Sequence, residues 1–208
     1  MNDTPRESPS FARCRLCDIA EVYAGLGVSR DEGADRPSEK LPVIGVRDLQ
    51  DWSVTPIERL EFASFCDRKR AEAYVVREGD VLVTGRGTLL KFGLVGSETA
   101  GAIASGNVIV VRPGPPAVGG ALYAILSSDV FRPKIEVLRR GATTLLSLSP
   151  KDLAKLEIEL PPLSEQHLIA ALVINTQTAY RTTIEAAEIR RALARRLIDA
   201  RLFGSLEQ

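Results

Sequence analysis

One histidine, three cysteines and one tryptophan serve a chain of 208 residues, and basic and acidic side chains balance at 27 each. With His167 alone, at the start of a helical segment, a histidine-based nucleophilic triad has little to build on. Cys14 and Cys17 form a Cys-x-x-Cys that could open a zinc site. Its remaining ligands would have to come from Cys66 and His167, far away in sequence, whereas structural zinc takes four ligands. Reduced thiols packed near the start of the first domain are the preferred reading, and no βαβ pattern supports a redox pair. Zero net charge argues against a polycation that coats nucleic acid, but not against a basic groove on one face. No apolar run is long enough to span a bilayer. The polar stretch Met1–Ser10 lacks the core of a secretory signal, so a cytoplasmic protein is expected.

Chemical motifs are missing as well. No glycine-rich loop ends in Gly-Lys-Ser/Thr, so there is no P-loop. No Asp/Asn-Pro-Pro-aromatic tetrapeptide occurs, since Pro161-Pro162 is flanked by Leu160 and Leu163. The nuclease pattern Glu-any-Lys is absent, and Gly85-Arg-Gly87 is too short for a cofactor loop and reads as a turn. Glu157 and Glu159 alternate on one strand face and read as solvated. No catalytic residue, metal or cofactor is expected, and the chain reads as a binding module.

What is present is a 45% hydrophobic composition, ample for a core. Residues 1–13 read as a flexible tail. Leu16–Leu26 reads as a short strand or helical turn, Ser29–Lys40 as an exposed loop, Leu41–Val46 as a strand and Arg47–Trp52 as a turn. Ile57–Tyr74 mixes charged and apolar residues at near-helical spacing. Strands are expected at Val81–Thr84, Leu89–Val95, Ala102–Arg112 and Leu156–Leu160, and short helices at Ala121–Ser128 and from Ser149. The fold class is therefore α+β, a mixed globular domain over residues 14–162 with several short strands and no βαβ regularity.

At Pro161-Pro162 the character changes. Leu163–Phe203 contains neither proline nor glycine, is rich in Ala, Leu, Arg, Glu and Ile, and meets a stop at Gly204. Residues 163–208 are thus expected as one long helix. About 40 residues of it would rise ~60 Å, more than a small domain covers. Val173, Tyr180, Ile184, Ala187, Ala194 and Ile198 form a stripe at spacings of three, four and seven, widened by Leu168, Leu172, Leu193 and Leu197. Gln177 and Arg191 interrupt the heptads, and frequent alanine lets partner helices come close. The competing reading is a helix packed on its own domain.

The run Leu148-Ser-Pro-Lys-Asp-Leu-Ala-Lys-Leu-Glu-Ile-Glu-Leu-Pro-Pro-Leu-Ser-Glu-Gln-His-Leu-Ile-Ala170 resembles the junction of a target-recognition domain with its spacer helix in specificity subunits of type I restriction–modification systems. The matching positions are Leu153, Ile158, Leu160, Pro161, Pro162, Leu163, Glu165, Gln166, Ile169 and Ala170. Glu78-Gly-Asp-Val-Leu-Val-Thr-Gly-Arg-Gly-Thr88, Ser105-Gly-Asn-Val-Ile-Val-Val-Arg-Pro113 and Leu41-Pro-Val-Ile-Gly-Val-Arg-Asp-Leu49 are similar to further family segments.

The resemblance implies sequence-specific recognition of double-stranded DNA by a subunit that is not itself an enzyme. It also implies a methyltransferase-bearing modification subunit and a restriction subunit as partners, in phage defence. Typical members carry two recognition domains and two spacer helices. One of each here implies a half-subunit, whose two copies would pair their helices antiparallel as a coiled coil. Such a homodimer would read a bipartite inverted site. Candidate base readers are Thr84, Arg86, Thr88 and Lys91. Arg68, Lys69 and Arg70 form one candidate phosphate patch, and Lys134, Arg139 and Arg140 a second. Arg86 reads equally as a solvated turn residue, Arg68–Arg70 as a solvated helix face, and Trp52 as either core or an exposed contact. The alternative function is a coiled-coil adaptor that binds protein and has no DNA affinity.

Overall fold

A computed structural model describes residues 11–27, 40–50, 52–65, 68–142 and 145–204, with Arg68, Lys69 and Ala142 described by their backbone alone. At its centre, four antiparallel strands run in the spatial order Ala20–Ala24, Val108–Pro113, Val81–Thr84, Phe92–Leu94. The two middle strands read as unbroken apolar runs because both faces are covered. Val81, Val83, Ile109 and Val111 face one cluster with Leu122, Leu126 and Val173, while Leu82, Val108 and Val110 face another with Ile44, Leu49 and Val76.

The first face is roofed by the helix Gly119–Ser127 and by the opening turns of the helix Leu163–Phe203. Beyond the second face, the strand Lys40–Ile44 pairs parallel with Ile103–Ala104 and antiparallel with Glu61–Ser64. The α+β class expected from the sequence is the one observed.

The segment around Pro161-Pro162 is a joint. Gln166 is buried, its Nε2 donating to the Pro161 carbonyl at 2.9 Å and its Oε1 accepting from the Val118 N–H at 2.9 Å. One side chain thus ties the strand end to the start of the Gly119–Ser127 helix. Gly120 then lets that helix approach the long one, for a Cβ there would stand 2.8 Å from Ala170 Cα. Gly120→Val is expected to lower stability by about 1–3 kcal/mol through overpacking. Thermal unfolding checks this, and an unchanged midpoint would mean that the two helices do not meet at this point.

Several expectations need correction. Ala12–Arg15 is a strand paired with Glu157–Leu160, so the tail expected over residues 1–13 ends before it, and its first ten residues lie outside the described ones. Near-helical spacing over 57–74 gives instead a short helical turn, the strand Glu61–Ser64 and the helix Arg68–Glu72. Pairing with Lys40–Ile44 overrides the local periodicity there. The loop expected at Ser29–Lys40 lies outside the described residues up to position 39.

By its contacts the chain forms two compact units, Met1–Val173 and Ile174–Gln208. Val173, expected on the partner-facing stripe, is 5% exposed and belongs to the core of the first unit. The second unit is helix to Phe203, and the stretch from Ile174 rises about 45 Å. Its apolar side chains face solvent: Tyr180, Ile184 and Ile198 are exposed, as are Ala187 and Ala194. No described helix is long and apolar enough to cross a membrane.

Candidate functional site

The strand Val81–Thr84 leaves the central sheet into a loop that returns at Phe92. Thr84 closes this loop. Its N–H donates to the Lys91 carbonyl at 3.0 Å, and its hydroxyl accepts from the Lys91 N–H at 2.9 Å. Thr84 is fully buried, so it belongs to the scaffold and cannot touch a base, contrary to expectation.

Within the loop, Arg86–Gly87 forms the edge of a three-stranded sheet with Leu145–Ser147 and Arg140–Ala142. Ser147 is the register partner of Arg140 on one side and of Arg86 on the other. Directly paired residues in antiparallel strands point to the same face, so Arg86, Ser147 and Arg140 stand in one row. The two arginines are two strand spacings apart, about 10 Å. Both are exposed, and neither makes an ion pair among the described residues. Thr88 is exposed on the same loop.

The helix Arg132–Leu138 and the residue that ends it buttress the loop with two further arginines. Arg139 Nη2 donates to the Gly87 carbonyl, and its Nη1 pairs with Glu136 at 2.8 Å. Arg132 Nη1 donates to the Leu90 carbonyl at 3.0 Å, its guanidinium lying over the Phe92 ring at 5.1 Å. Only 1% of the Arg139 side chain is exposed. It therefore braces the loop from inside and is unavailable to a phosphate, a second correction.

Lys134 also leaves the expected patch. Its ammonium sits 4.3 Å from the Phe131 ring centre and lines a cleft with Arg13, Glu157 and Glu159. Two carboxylates make that cleft a poor seat for an anion. Of the three basic residues expected to act together, only Arg140 joins the row. Arg70 is exposed on the short helix Arg68–Glu72, while the side chains of Arg68 and Lys69 lie outside the described residues.

Beside the loop lies a cleft of about 350 Å³ lined by Arg47, Gln50, Leu89, Lys91 and Arg132, among others. Lys91 was expected here; Arg47, Gln50 and Arg132 were not. Their segments are far apart in sequence and meet only through the fold, so no local signal could have grouped them. Arg47 pairs with Glu61, and that hydrogen bond pushes its pKa further up. The hairpin Leu49–Gln50/Ser53–Val54 reaches this cleft because Gly93 leaves room: a Cβ on Gly93 would stand 2.7 Å from Val54 Cγ2.

Cys14 is half-buried, and burial, helped by Asp18, pushes its thiol pKa up. A thiol shifted that way is a poor nucleophile and a poor metal ligand. Cys17 is exposed, Cys66 lies outside the described residues, and no metal-holding cluster occurs among the described residues. His167 is exposed.

The model of the type I restriction modification DNA specificity domain matches residues 11–191. No curated protein matches the chain significantly. Three solved structures are similar in fold. One, described as the structural basis underlying complex assembly and conformational transition of the type I R-M system, has TM-score 0.59 and 20% identity over 96% of this chain and 46% of its own. The HsdS subunit from Thermoanaerobacter tengcongensis has TM-score 0.54 and 20% identity over 99% of this chain and 48% of its own. The type I restriction-modification S subunit from M. genitalium has TM-score 0.60 and 14% identity over 93% of this chain and 45% of its own. At such identities the likeness concerns the fold. The chain spans about half the length of each of these structures.

Proposed function

Because the chain belongs to the type I restriction modification DNA specificity family, we propose that it recognises a DNA sequence through the Arg86–Ser147–Arg140 row and the neighbouring cleft. The observation that carries this reading is the row itself: two exposed arginines on one sheet face, neither in an ion pair among the described residues, with Arg86 on a loop braced from behind by Arg132 and Arg139 and Arg140 on the strand across Ser147. Braced backbone and free guanidinium groups suit a contact that needs fixed geometry. Arg140 is assigned to phosphate. Arg86, nearer the loop tip with Thr88, is assigned to phosphate or to a guanine edge, which an arginine grips with two hydrogen bonds. Lys91, Gln50 and Arg47 extend the surface, and Arg68, Lys69 and Arg70 offer a second basic segment. The chain itself performs no chemistry in this reading. A methyltransferase subunit and a restriction subunit supply it, in the cytoplasm.

The recognition unit is proposed over residues 14–162, with the buried helix start through Val173 as part of its core. The remaining helix within 163–208 is the spacer, pairing with another helix through Tyr180, Ile184, Ala187, Ala194 and Ile198. A second copy of the chain is the proposed partner. A twofold dimer would then read the same half-site twice, inverted. Light scattering tests this: the wild type should have the mass of a dimer. Ile184→Asp with Ile198→Asp should be monomeric with unchanged helical content, since both side chains are exposed in the single chain. A monomeric wild type would remove the symmetric site.

A further inference from the structure

Trp52 is the chain's single tryptophan, and it occupies an unusual backbone position. Gln50 pairs with Ser53, so two residues close the Leu49–Val54 hairpin, and Trp52 is the second of them. Its φ is +78°, a left-handed value for which two-residue hairpin turns ordinarily use glycine or asparagine. Among the described residues, Trp52 is the only one other than glycine with a positive φ. A bulky residue in that conformation persists only where surrounding structure holds it.

The holding structure is visible. The Trp52 N–H donates to the Tyr123 hydroxyl at 2.7 Å, and the two rings lie 6.0 Å apart at a 48° tilt. Tyr123 itself is buried in the helix beneath. Despite this support, 41% of Trp52 remains open to solvent. A residue kept only for packing would be buried, and a residue kept only for the turn would be glycine. Trp52 satisfies neither demand. It is an aromatic face at a hairpin tip, with its backbone held by Tyr123, and two residues along from Gln50, which lines a cleft with Arg47, Lys91 and Arg132.

We infer that Trp52 is an aromatic wedge that packs against the base stack of duplex DNA. The inference rests on the DNA-recognition reading above and adds to it an apolar contact with bases, where the arginine row supplies charge. Lys91 and Arg132, which line the cleft that Gln50 of the same hairpin also lines, favour a polyanion there, and a wedge whose backbone is held in advance loses little freedom on insertion.

The chain offers its own probe, because all tryptophan emission comes from Trp52. Duplexes enriched from a random-sequence pool by the wild-type protein are titrated while tryptophan fluorescence and labelled-DNA anisotropy are followed together. Emission should be quenched in step with binding. Trp52→Gly, which takes a positive φ without strain, should keep or raise the thermal midpoint and weaken binding about 10-fold, the scale of one lost base–aromatic contact. Trp52→Phe should retain most of the affinity. Binding with unchanged emission, together with full affinity in Trp52→Gly, overturns the wedge and leaves the recognition reading standing. Failure to enrich or bind any duplex overturns both.

Discussion

Changing Arg86 and Arg140 together to alanine is expected to weaken duplex binding by roughly two orders of magnitude at physiological salt, each charge-assisted contact contributing about 1.5 kcal/mol. The pair should also flatten the salt dependence. Each phosphate contact releases counterions, so each lost arginine lowers the log–log slope by about 1. Because both side chains are exposed and unpaired among the described residues, the thermal midpoint should stay within the range of ordinary surface substitutions. The single variants separate their roles. Arg140→Ala should weaken all duplexes alike, whereas Arg86→Ala should relax the preference at one base pair if it grips a guanine. A normal slope in the double variant, measured by anisotropy over a salt series, would remove the row from the interface.

Asp80→Ala is expected to have the largest effect on stability, about 3–5 kcal/mol, because it breaks a buried ion pair and leaves its partner uncompensated. Arg112 Nη2 and Nε reach the two Asp80 oxygens at 2.7 and 3.1 Å, with 13% and 2% of the respective side chains exposed. Asp80 also accepts the Arg77 N–H at 2.8 Å, and the hydrogen bond to Asp80 pushes the Arg112 pKa further up. Arg112 in turn donates to the Val75 carbonyl at 2.8 Å and lies over the Tyr23 ring. In a chain of this size the expected loss is a fall of about 10 °C in the unfolding midpoint. Pairing the change with Arg112→Met should restore part of it, since two well-packed neutral residues replace a desolvated pair. A loss below 1 kcal/mol in denaturant unfolding would show that the pair is not a keystone.

This ion pair joins two separate sequence segments that resemble the family. Asp80 comes from Glu78-Gly-Asp80 and Arg112 from Val110-Val-Arg112, and the fold brings the two motifs together through this contact. The junction is similar: Gln166 and Ala170 are fixed by contacts to Val118, Pro161 and Gly120. Scaffold of this kind was legible, and so was the helix Leu163–Phe203, whose composition leaves no alternative for so long a run.

The site was only partly legible. Nothing local distinguishes Arg139 from Arg140, yet one is sealed inside and the other exposed, because Arg139 ends the helix Arg132–Leu138 and turns inward to Gly87 and Glu136, whereas Arg140 opens the next strand. Thr84, at the end of an expected strand, reads as a candidate base reader until its hydroxyl is seen closing the loop on Lys91. The helix Arg132–Leu138, which carries the bracing Arg132, and the paired strands Arg140–Ala142 and Leu145–Ser147, which carry two of the row's three residues, lack strong periodicity and were not anticipated. Gln50 and Trp52 reach the surface through one hairpin whose seat on Gly93 is a tertiary fact, and Arg47 reaches it from the helical turn Val46–Asp48 just before that hairpin.

The most direct test of the whole account is the affinity of the purified chain for duplex DNA across a salt series. Recognition through the arginine row predicts measurable binding that falls linearly on a log–log plot with a slope at least as steep as about −2, one unit for each arginine of the row. Absence of duplex binding at low salt, or affinity independent of salt, would contradict it and return the chain to the class of protein-binding adaptors.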